Sequence, residues 1–419
     1  MLLRNGRVVD PSQALDALRD IRITAGLIGE IGERLEPNDG ETVFDAAGAI
    51  VAPGFIDMHV HLREPGFPEK ETIATGTQAA VCGGFTAVAC MPNTKPALDD
   101  PAVLASLAAL VAREARCHVY PVGAITRGRE GSDICDLAGL ARAGAVAFSD
   151  DGNTVMNARV LRDAALTALD LPGVFISHCE DENLKEHSVM TEGLVSRALG
   201  VAGSPSIAED TIVARDLLIG IETGKDWHIA HLSTRGALDL VRNARARAGR
   251  ATCEVTPHHL LLTDQAVREF GAGAKVNPPL RIEEDARALR DGVRDGTVDA
   301  FATDHAPHTQ AEKAGDLQRA AVGFSGLEIA VGAYAAALPD LPLLRFVELL
   351  STNPARILGV AGGTLAIGSP GDVTIFAERD WIVDPATFAS KGKSTPFAGR
   401  TFKRRAIATI VGGELRYQA

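Results

Sequence analysis

The sequence predicts an α/β fold, a (β/α)8 TIM-like barrel with a small β-sandwich built from both chain ends. Residues 51–364 alternate between apolar strand-like and helix-like segments, the pattern of parallel strands joined by crossover helices. Residues 1–50 and 365–419 contain only short β-like segments with turn signals such as Asn5-Gly6. Neither end can bury a core alone, so we expect 1–50 and 365–419 to form the N-terminal and C-terminal parts of one sandwich around a barrel at 51–364.

The barrel prediction depends on eight strands in sequence. They are expected at Ile50–Met58, Phe85–Met91, His118–Ile125, Ala145–Phe148, Gly173–Ser177, Trp227–Ala230, Thr252–Thr256 and Val298–Thr303. Helices are expected at Glu69–Val81, Pro101–Glu114, Ala158–Ala168, Ile207–Ile221, Thr234–Ala246, Leu327–Ala337 and Leu343–Leu350. Active sites of such barrels lie at the C-terminal ends of the strands, so polar residues that follow a strand are the functional candidates.

The composition favours an enzyme for a small molecule. The chain has 419 residues and a net charge of -12, from 42 basic and 54 acidic residues, and it lacks a dense basic run. This balance argues against nucleic acid or an anionic membrane as a partner. No long apolar stretch or basic leader occurs, so we expect a cytoplasmic protein. The six cysteines are scattered without C-x-x-C spacing and are expected to be reduced core residues.

The first barrel strand ends in two histidines, His59 and His61, within GFIDMHVHLREPG at 54–66. Side chains two positions apart on a strand share a face, so both imidazoles can reach one metal ion. Every predicted strand except the third is followed by further candidates of this kind. They are His59, His61 and Arg63, then Asn93, Asp150 and Asp151, His178, His231, His258 and His259, and finally Asp304, His305 and His308.

Four imidazoles and two carboxylates exceed what one catalytic zinc ion with an open position needs. They suit two ions about 3.5–4 Å apart, an arrangement used for hydrolysis. We assign one ion to His59, His61 and Asp304, and the other to His178 and His231, with Asp151 as the bridge. Asp150 and Asp151 point in opposite directions in an extended chain, and geometry alone leaves open which one faces the centre. Two Zn2+ are favoured, with Mn2+ or Co2+ as alternatives.

Several other residues have a less direct expected role. His258, His259 and His305 are surplus to the ligand set and are expected to support the ligands or the fold. His187 and His228 are expected to be uninvolved. The polar segment at 308–320 is a candidate lid over the site.

The motifs together resemble those of class I bacterial dihydroorotases of the amidohydrolase superfamily. The resemblance covers almost the whole chain and rests on DMHVHLREPG at 57–66, MPNT at 91–94, SDDG at 149–152, HCED at 178–181, KVNPPLR at 275–281, ATDHAPH at 302–308, TNPA at 352–355 and KSTPF at 393–397. It implies the same two-metal assignment and selects Asp151 over Asp150. Many relatives bridge their metals with a carboxylated lysine on the fourth strand, but residues 145–149 offer none, and Asp151 takes that role.

The resemblance also implies the reaction and the substrate contacts. It implies reversible hydrolysis of (S)-dihydroorotate to N-carbamoyl-L-aspartate in de novo pyrimidine (UMP) biosynthesis, with Asp304 as the residue that moves the proton. Arg63 and Asn93 would bind the substrate carboxylate, Asn277 the ring, and His308 would add a further contact. The segment at 323–328 departs slightly from the family pattern, in which it is expected to provide backbone contacts to substrate.

Two other functions are compatible with parts of this pattern. A hydantoinase, dihydropyrimidinase or allantoinase hydrolyses similar cyclic amides, but those substrates lack the carboxylate that Arg63 and Asn93 would bind. A non-catalytic structural partner of aspartate transcarbamoylase would be expected to lose ligands, whereas all six positions are filled here. The resemblance leaves open a homodimer and a complex of an active enzyme with aspartate transcarbamoylase.

Overall fold

The computed structural model describes residues 1–247 and 249–419, which form one barrel, one large additional sheet and a two-stranded sheet of residues 190–191 and 203–204. The strands in chain order are β1 (Leu2–Asp10), β2 (Leu15–Thr24), β3 (Leu27–Gly32), β4 (Val43–Asp45), β5 (Ile50–Pro53), β6 (Phe55–Val60), β7 (Phe85–Cys90), β8 (His118–Gly123), β9 (Ala147–Phe148), β10 (Val174–Ser177), β11 (Met190–Thr191), β12 (Gly203–Ser204), β13 (Trp227–Ile229), β14 (Ala251–Val255), β15 (Ala300–Phe301), β16 (Val373–Ile382), β17 (Thr401–Val411) and β18 (Glu414–Gln418). The predicted fold class, a (β/α)8 TIM-like barrel with a small β-sandwich built from both chain ends, is confirmed, and the chain ends together build one extra β-sheet.

The barrel strands are parallel and follow each other in the order β6-β7-β8-β9-β10-β13-β14-β15. The ring is nearly closed, because a parallel bridge joins Val60 to His305 and the backbone N–H of His61 donates to the carbonyl of His305 at 2.8 Å. Apolar side chains of several barrel strands, such as Met58, Ala89 and Ile176, form one buried cluster. This packed interior leaves the C-terminal ends of the strands as the place for a site.

The predicted first strand, Ile50–Met58, is wrong as a single element. The structure divides it at Gly54 into β5, which pairs with β1 and β16, and β6, which begins the barrel. A side chain at Gly54 would collide with the Thr86 hydroxyl, so only glycine allows the chain to pass between the two sheets here. The apolar run continues across this point and therefore gave no signal of the change.

The helices surround the barrel and mostly match the predicted ones. They are α1 (Ile73–Gly83), α2 (Pro101–Glu114), α3 (Leu137–Arg142), α4 (Ala158–Thr167), α5 (Glu182–Lys185), α6 (Leu194–Leu199), α7 (Ile207–Thr223), α8 (Arg235–Ala246), α9 (Pro257–Leu261), α10 (Gln265–Phe270), α11 (Glu283–Arg294), α12 (Gln310–Lys313), α13 (Ala330–Ala337), α14 (Leu343–Val347) and α15 (Asn353–Leu358). Helix α1 begins four residues later than predicted, because Thr72 and Thr75 form a reciprocal capping box there.

The last helical segment also differs from its prediction. Helix α14 ends at Val347, and a π-helical turn at Glu348–Thr352 leads into α15. Pro354 lies in the first turn of α15, where a missing N–H costs little. Ala355 and Leu358 of α15 belong to the same buried apolar cluster as the side chains inside the barrel.

The chain ends build one sheet in the order β18-β17-β16-β5-β1-β2-β3, with β4 paired to β1. Its core contains Val8, Ile21, Val373 and Ile410, which are contributed by both ends of the chain. The Thr374 hydroxyl accepts from the backbone N–H of residue 55 at 2.9 Å and so ties this sheet to the first barrel strand. Among residues 1–247 and 249–419, no helix is long and apolar enough to cross a membrane.

Candidate metal centre and substrate pocket

Most of the candidate residues meet in one cavity of about 260 Å³ at the C-terminal ends of the barrel strands. Its lining consists of His61, Arg63, Asn93, Asp151, Gly152, His178, His231, Val276, Asn277, Asp304, Ala306, His308, Val322 and Gly323. His59 lies directly behind this lining and is fully buried. The structure therefore brings together all ten site residues predicted from the sequence.

Two groups of side chains in this cavity have the spacing of metal ligands. One consists of His59, His61 and Asp151, and the other of Asp151, His178 and His231. Asp151 belongs to both, and its Oδ1 lies 3.3 Å from His59 Nε2 and 3.7 Å from His178 Nδ1. The sixth predicted ligand, Asp304, places its Oδ1 3.0 Å from His61 Nε2 and 3.6 Å from His59 Nε2.

The donor atoms of these residues fit a cation. His59 Nε2 and Asp151 Oδ1 are buried and face each other, and neither has a hydrogen-bond partner among the described residues. His178 Nδ1 and His231 Nε2 approach within 2.9 Å. Lone pairs that converge on a buried point repel each other unless a positive charge lies between them. The residues present could thus bind metal ions.

Hydrogen bonds fix which nitrogen each histidine presents to the cavity. His59 Nδ1 donates to Glu254 Oε1 at 2.8 Å, and His178 Nε2 donates to Glu180 Oε2 at 3.0 Å. In both rings the other nitrogen is left as a ligand atom, an arrangement common at metal sites. Sequence reasoning gave no role to Glu254 or Glu180. The available signal for Glu254 was a carboxylate inside the apolar strand β14.

The charges of the site depend on burial and on neighbouring groups. Burial alone would raise the pKa of Asp151, but His59 and His178 outweigh it and hold that pKa well below its usual range. Burial and the two nearby imidazoles lower the pKa of His231 to about 3. Burial is likewise outweighed at Glu254, where His228 and His59 lower the pKa to about 2. The carboxylates are therefore ionised and His231 is neutral near pH 7.

Three residues of the cavity have an unusual backbone conformation. Arg63, His231 and Asp304 have φ values of 64°, 33° and 49°, in the left-handed region that favours glycine. Such strain persists only where the surroundings determine it, and it concentrates at functional sites. Here it turns the chain immediately after strands β6, β13 and β15, so that each side chain enters the cavity.

The predicted substrate contacts lie on one side of the cavity. Arg63 Nε donates to the carbonyl of Pro307 at 3.1 Å, which holds the guanidinium against the rim. His308 Nε2 lies 2.8 Å from the Val322 carbonyl and 3.2 Å from Arg63 Nη2, so the imidazole is next to the guanidinium. The Asn277 amide is satisfied when its oxygen accepts from Lys185 Nζ at 3.2 Å. Basic and amide groups thus line the same cavity as the metal-binding side chains.

The two adjacent aspartates have different surroundings in the structure. Asp150 turns away from the cavity and accepts from the backbone N–H groups of Ile125 and Thr126, both at 2.9 Å. Only Asp151 reaches the other donor atoms. Asp151 begins the turn that follows Asp150, and its side chain enters the cavity while that of Asp150 is bound in the wall.

The surplus histidines lie around the site. His305 Nδ1 accepts from the backbone N–H of Gly326 at 3.1 Å, and His259 Nε2 donates to the Pro278 carbonyl at 2.9 Å. His258 is buried, and burial together with His259 lowers its pKa. His228, expected to be uninvolved, contacts Glu254 at 3.2 Å and thus supports the carboxylate that orients His59.

Comparisons with known protein families and sequences agree on the relatives of this chain. A family model described as dihydro-orotase-like matches residues 48–237. A dihydroorotase of Pelotomaculum thermopropionicum is 50% identical over 100% of this chain and 98% of its own length. A dihydroorotase of Syntrophus aciditrophicus is 45% identical over 100% and 99% of the two chains.

Solved structures with the same fold include cyclic amide hydrolases. An L-hydantoinase (dihydropyrimidinase) from Arthrobacter aurescens superimposes with a TM-score of 0.89 and 23% identity, covering 99% of this chain and 95% of that one. A dihydropyrimidinase from Brevibacillus agri gives a TM-score of 0.85 at 21% identity, covering 99% and 94%. At this identity the likeness concerns the fold, whereas the relatives at 45–50% identity over full length decide the family. The chain belongs to the dihydroorotase family.

Proposed function

We propose that this protein is a metal-dependent dihydroorotase that interconverts (S)-dihydroorotate and N-carbamoyl-L-aspartate by reversible hydrolysis of the ring amide. The observation that carries the proposal is the cavity in which two potential metal-ligand groups share Asp151 and face Arg63 and Asn93. Ligand groups of this kind supply hydrolytic chemistry, and a guanidinium suits a substrate carboxylate.

We assign two ions to the site, in keeping with the donor atoms that converge there. His59, His61 and Asp304 would hold one ion, His178 and His231 the other, and Asp151 would bridge them. The imidazole-rich set favours Zn2+, with Mn2+ or Co2+ as alternatives. Bound there, the ions would lower the pKa of a water molecule and polarise the ring carbonyl.

The protein's own residues hold the substrate and move the proton. The Arg63 guanidinium pairs with the substrate carboxylate, with the Asn93 amide beside it. Asn277 contacts the ring, and His308 adds a further contact at the same rim. Asp304 accepts a proton from the attacking water and delivers it to the ring nitrogen as the C–N bond breaks. Its pKa is held low by neighbouring histidines despite burial, so Asp304 is present as the carboxylate, the form that can take up a proton.

The competing activity is hydrolysis of a cyclic amide without a carboxylate, as the hydantoinase fold neighbours suggest. Arg63 disfavours it, since its buried guanidinium lacks a carboxylate partner within 4 Å among the described residues. A catalytically inactive partner of aspartate transcarbamoylase is disfavoured as well, because the six proposed ligand positions are filled. An active homodimer, or an active complex with that transcarbamoylase, is consistent with the proposal.

The deciding experiment combines metal analysis with a substrate panel. The purified protein is measured by elemental analysis, and ring opening of L-dihydroorotate, hydantoin and dihydrouracil is followed before and after chelation. About two metal ions per chain and chelator-sensitive turnover of dihydroorotate alone would support the proposal. Equal activity on hydantoin or dihydrouracil would contradict it, as would full activity without metal.

A further inference from the structure

The loop that follows the third barrel strand, β8, supplies none of the proposed metal ligands, yet it contacts the segment that carries Asp151 at several points. Ile125 and Thr126 donate their backbone N–H groups to Asp150 on one side of Asp151. Arg129 Nη1 donates to the main-chain carbonyl of Asp151 itself at 2.8 Å. The loop therefore binds both the side chain of Asp150 and the backbone of Asp151.

These contacts are reciprocal, which makes the two segments one unit. Asn153, two residues after Asp151, donates from Nδ2 to the Arg129 carbonyl at 2.9 Å, so hydrogen bonds run in both directions between the loop and the Asp151 segment. Within the loop itself, the Thr126 carbonyl accepts from the Arg129 N–H at 2.9 Å, and the Thr126 hydroxyl accepts from the Gly131 N–H at 2.8 Å. The hydrogen bonds within the loop, and those between the loop and the Asp151 segment, together restrict the motion of both.

Arg129 has a strained backbone that directs its side chain toward Asp151. Its φ of 59° is in the left-handed region, where a residue with a long side chain is uncommon. Burial lowers its pKa, while the charges of Asp151 and Asp150 oppose that change. The guanidinium is thus partly buried and near the charges of two acids, and its Nη1 reaches the main-chain carbonyl of Asp151.

The position of the Asp151 backbone matters because the Asp151 carboxylate lies close to three histidines at once. Its Oδ1 is 3.3 Å from His59 Nε2, 3.7 Å from His178 Nδ1 and 3.8 Å from His231 Nε2. The next residue is Gly152, where φ is 83° and a Cβ would lie 3.5 Å from Arg129 Nη1. A shift of the turn at residues 151–152 would move the Asp151 carboxylate away from one of the two ligand groups that share it.

We propose that Arg129 is a positioning residue for Asp151, whose main-chain carbonyl it holds so that the carboxylate remains shared between the two proposed metal-ligand groups. The inference rests on the proposed function and adds a residue from the third strand's loop to it. Arg129 does not line the cavity, so it acts through Asp151 and not on the substrate. Loss of the guanidinium should therefore speed metal release and lower kcat while KM for dihydroorotate stays unchanged.

The test compares Arg129→Gln and Arg129→Lys with Arg127→Gln, a matched control at an exposed arginine of the same loop. Metal transfer from each protein to a chromogenic chelator is timed, and kcat and KM are measured separately. Supporting partners of metal ligands are typically worth about 10–100-fold in metal affinity or activity. We expect changes of this size in Arg129→Gln, a smaller loss in Arg129→Lys, whose ammonium can still donate to the carbonyl, and parent values in the control.

The outcomes separate this inference from the proposed function. Parent protein that holds no metal overturns both. Parent protein that holds metal and turns over dihydroorotate, together with Arg129→Gln at parent rates of metal release and kcat, overturns the Arg129 inference alone. A rise in KM without faster metal release also overturns it, because that result assigns Arg129 to the substrate. If circular dichroism shows that Arg129→Gln is unfolded, Arg129→Lys carries the test, and parent values in that variant contradict the inference.

Discussion

Asn93 Oδ1 accepts a hydrogen bond from His61 Nδ1 at 2.9 Å, which links a predicted substrate contact to a predicted metal ligand. The bond leaves His61 Nε2 for Asp304 and the first ligand group, while the Asn93 amide nitrogen remains for the substrate. Sequence reasoning assigned Asn93 to the substrate alone. The side chain joins the two halves of the site, and its two polar atoms can be tested separately.

Replacing Asn93 by aspartate should harm substrate binding more than metal binding. A carboxylate still accepts from His61 Nδ1, but it repels the substrate carboxylate where the amide nitrogen attracted it. We expect kcat/KM for dihydroorotate to fall by roughly a hundredfold, a loss of about 3 kcal/mol, with metal content unchanged. Asn93→Ala removes both contacts and should also release metal faster. Unchanged kcat/KM in Asn93→Asp would exclude Asn93 from carboxylate binding.

Glu254→Gln should weaken metal binding without touching the substrate. The Glu254 carboxylate accepts from His59 Nδ1 at 2.8 Å and from His228 Nε2 at 3.2 Å, and an amide cannot accept both bonds with equal geometry. A loss of about 10–100-fold in metal affinity is expected, measured by competition with a chelator. Glu378→Gln, at an exposed ion pair of the terminal sheet, is the control. Equal affinities in both variants would mean that Glu254 does not support His59.

Asp304→Asn should preserve the fold and abolish most of the activity. The amide can neither accept the proton from the attacking water nor deliver it to the ring nitrogen, and positioned acid–base groups contribute about 10²–10⁴-fold. The variant is compared with the parent by kcat, by metal content and by circular dichroism. Turnover near that of the parent, in a protein with the same metal content, would remove Asp304 from the proton-transfer step.

The sequence predicts the barrel and the ligand set because both leave local signals. His59 and His61 share a strand face, and each later ligand follows an apolar run. Supporting residues leave no such signal. Arg129 lies in a polar loop, and only the folded chain brings its guanidinium to the Asp151 carbonyl. The choice between Asp150 and Asp151 likewise depends on backbone donors from another loop, which no periodicity reveals.

The buried carboxyl of Glu328 provides a test of pH-dependent stability away from the metal-binding residues. Burial raises its pKa to about 7, although the backbone N–H groups of Ala389 and Ser390 oppose this change. A pKa that folding raises above the ordinary value of 4.5 means that the native state prefers the protonated form. Glu328 therefore reduces the free energy of unfolding as the pH rises from about 4.5 to about 7.

Glu328→Gln removes this ionisation, while its amide oxygen can still accept from the backbone N–H of Ala389, the nearer of the two donors. The variant should gain stability relative to the parent between pH 5 and pH 8, by on the order of 2–3 kcal/mol at most, because each pKa unit corresponds to about 1.4 kcal/mol. Urea unfolding of both proteins at the two pH values measures the difference. Glu378→Gln serves again as the control, because it removes a carboxylate from an exposed ion pair that contributes little to stability. A constant difference between Glu328→Gln and the parent at both pH values would mean that Glu328 is already ionised at pH 5 in the native protein.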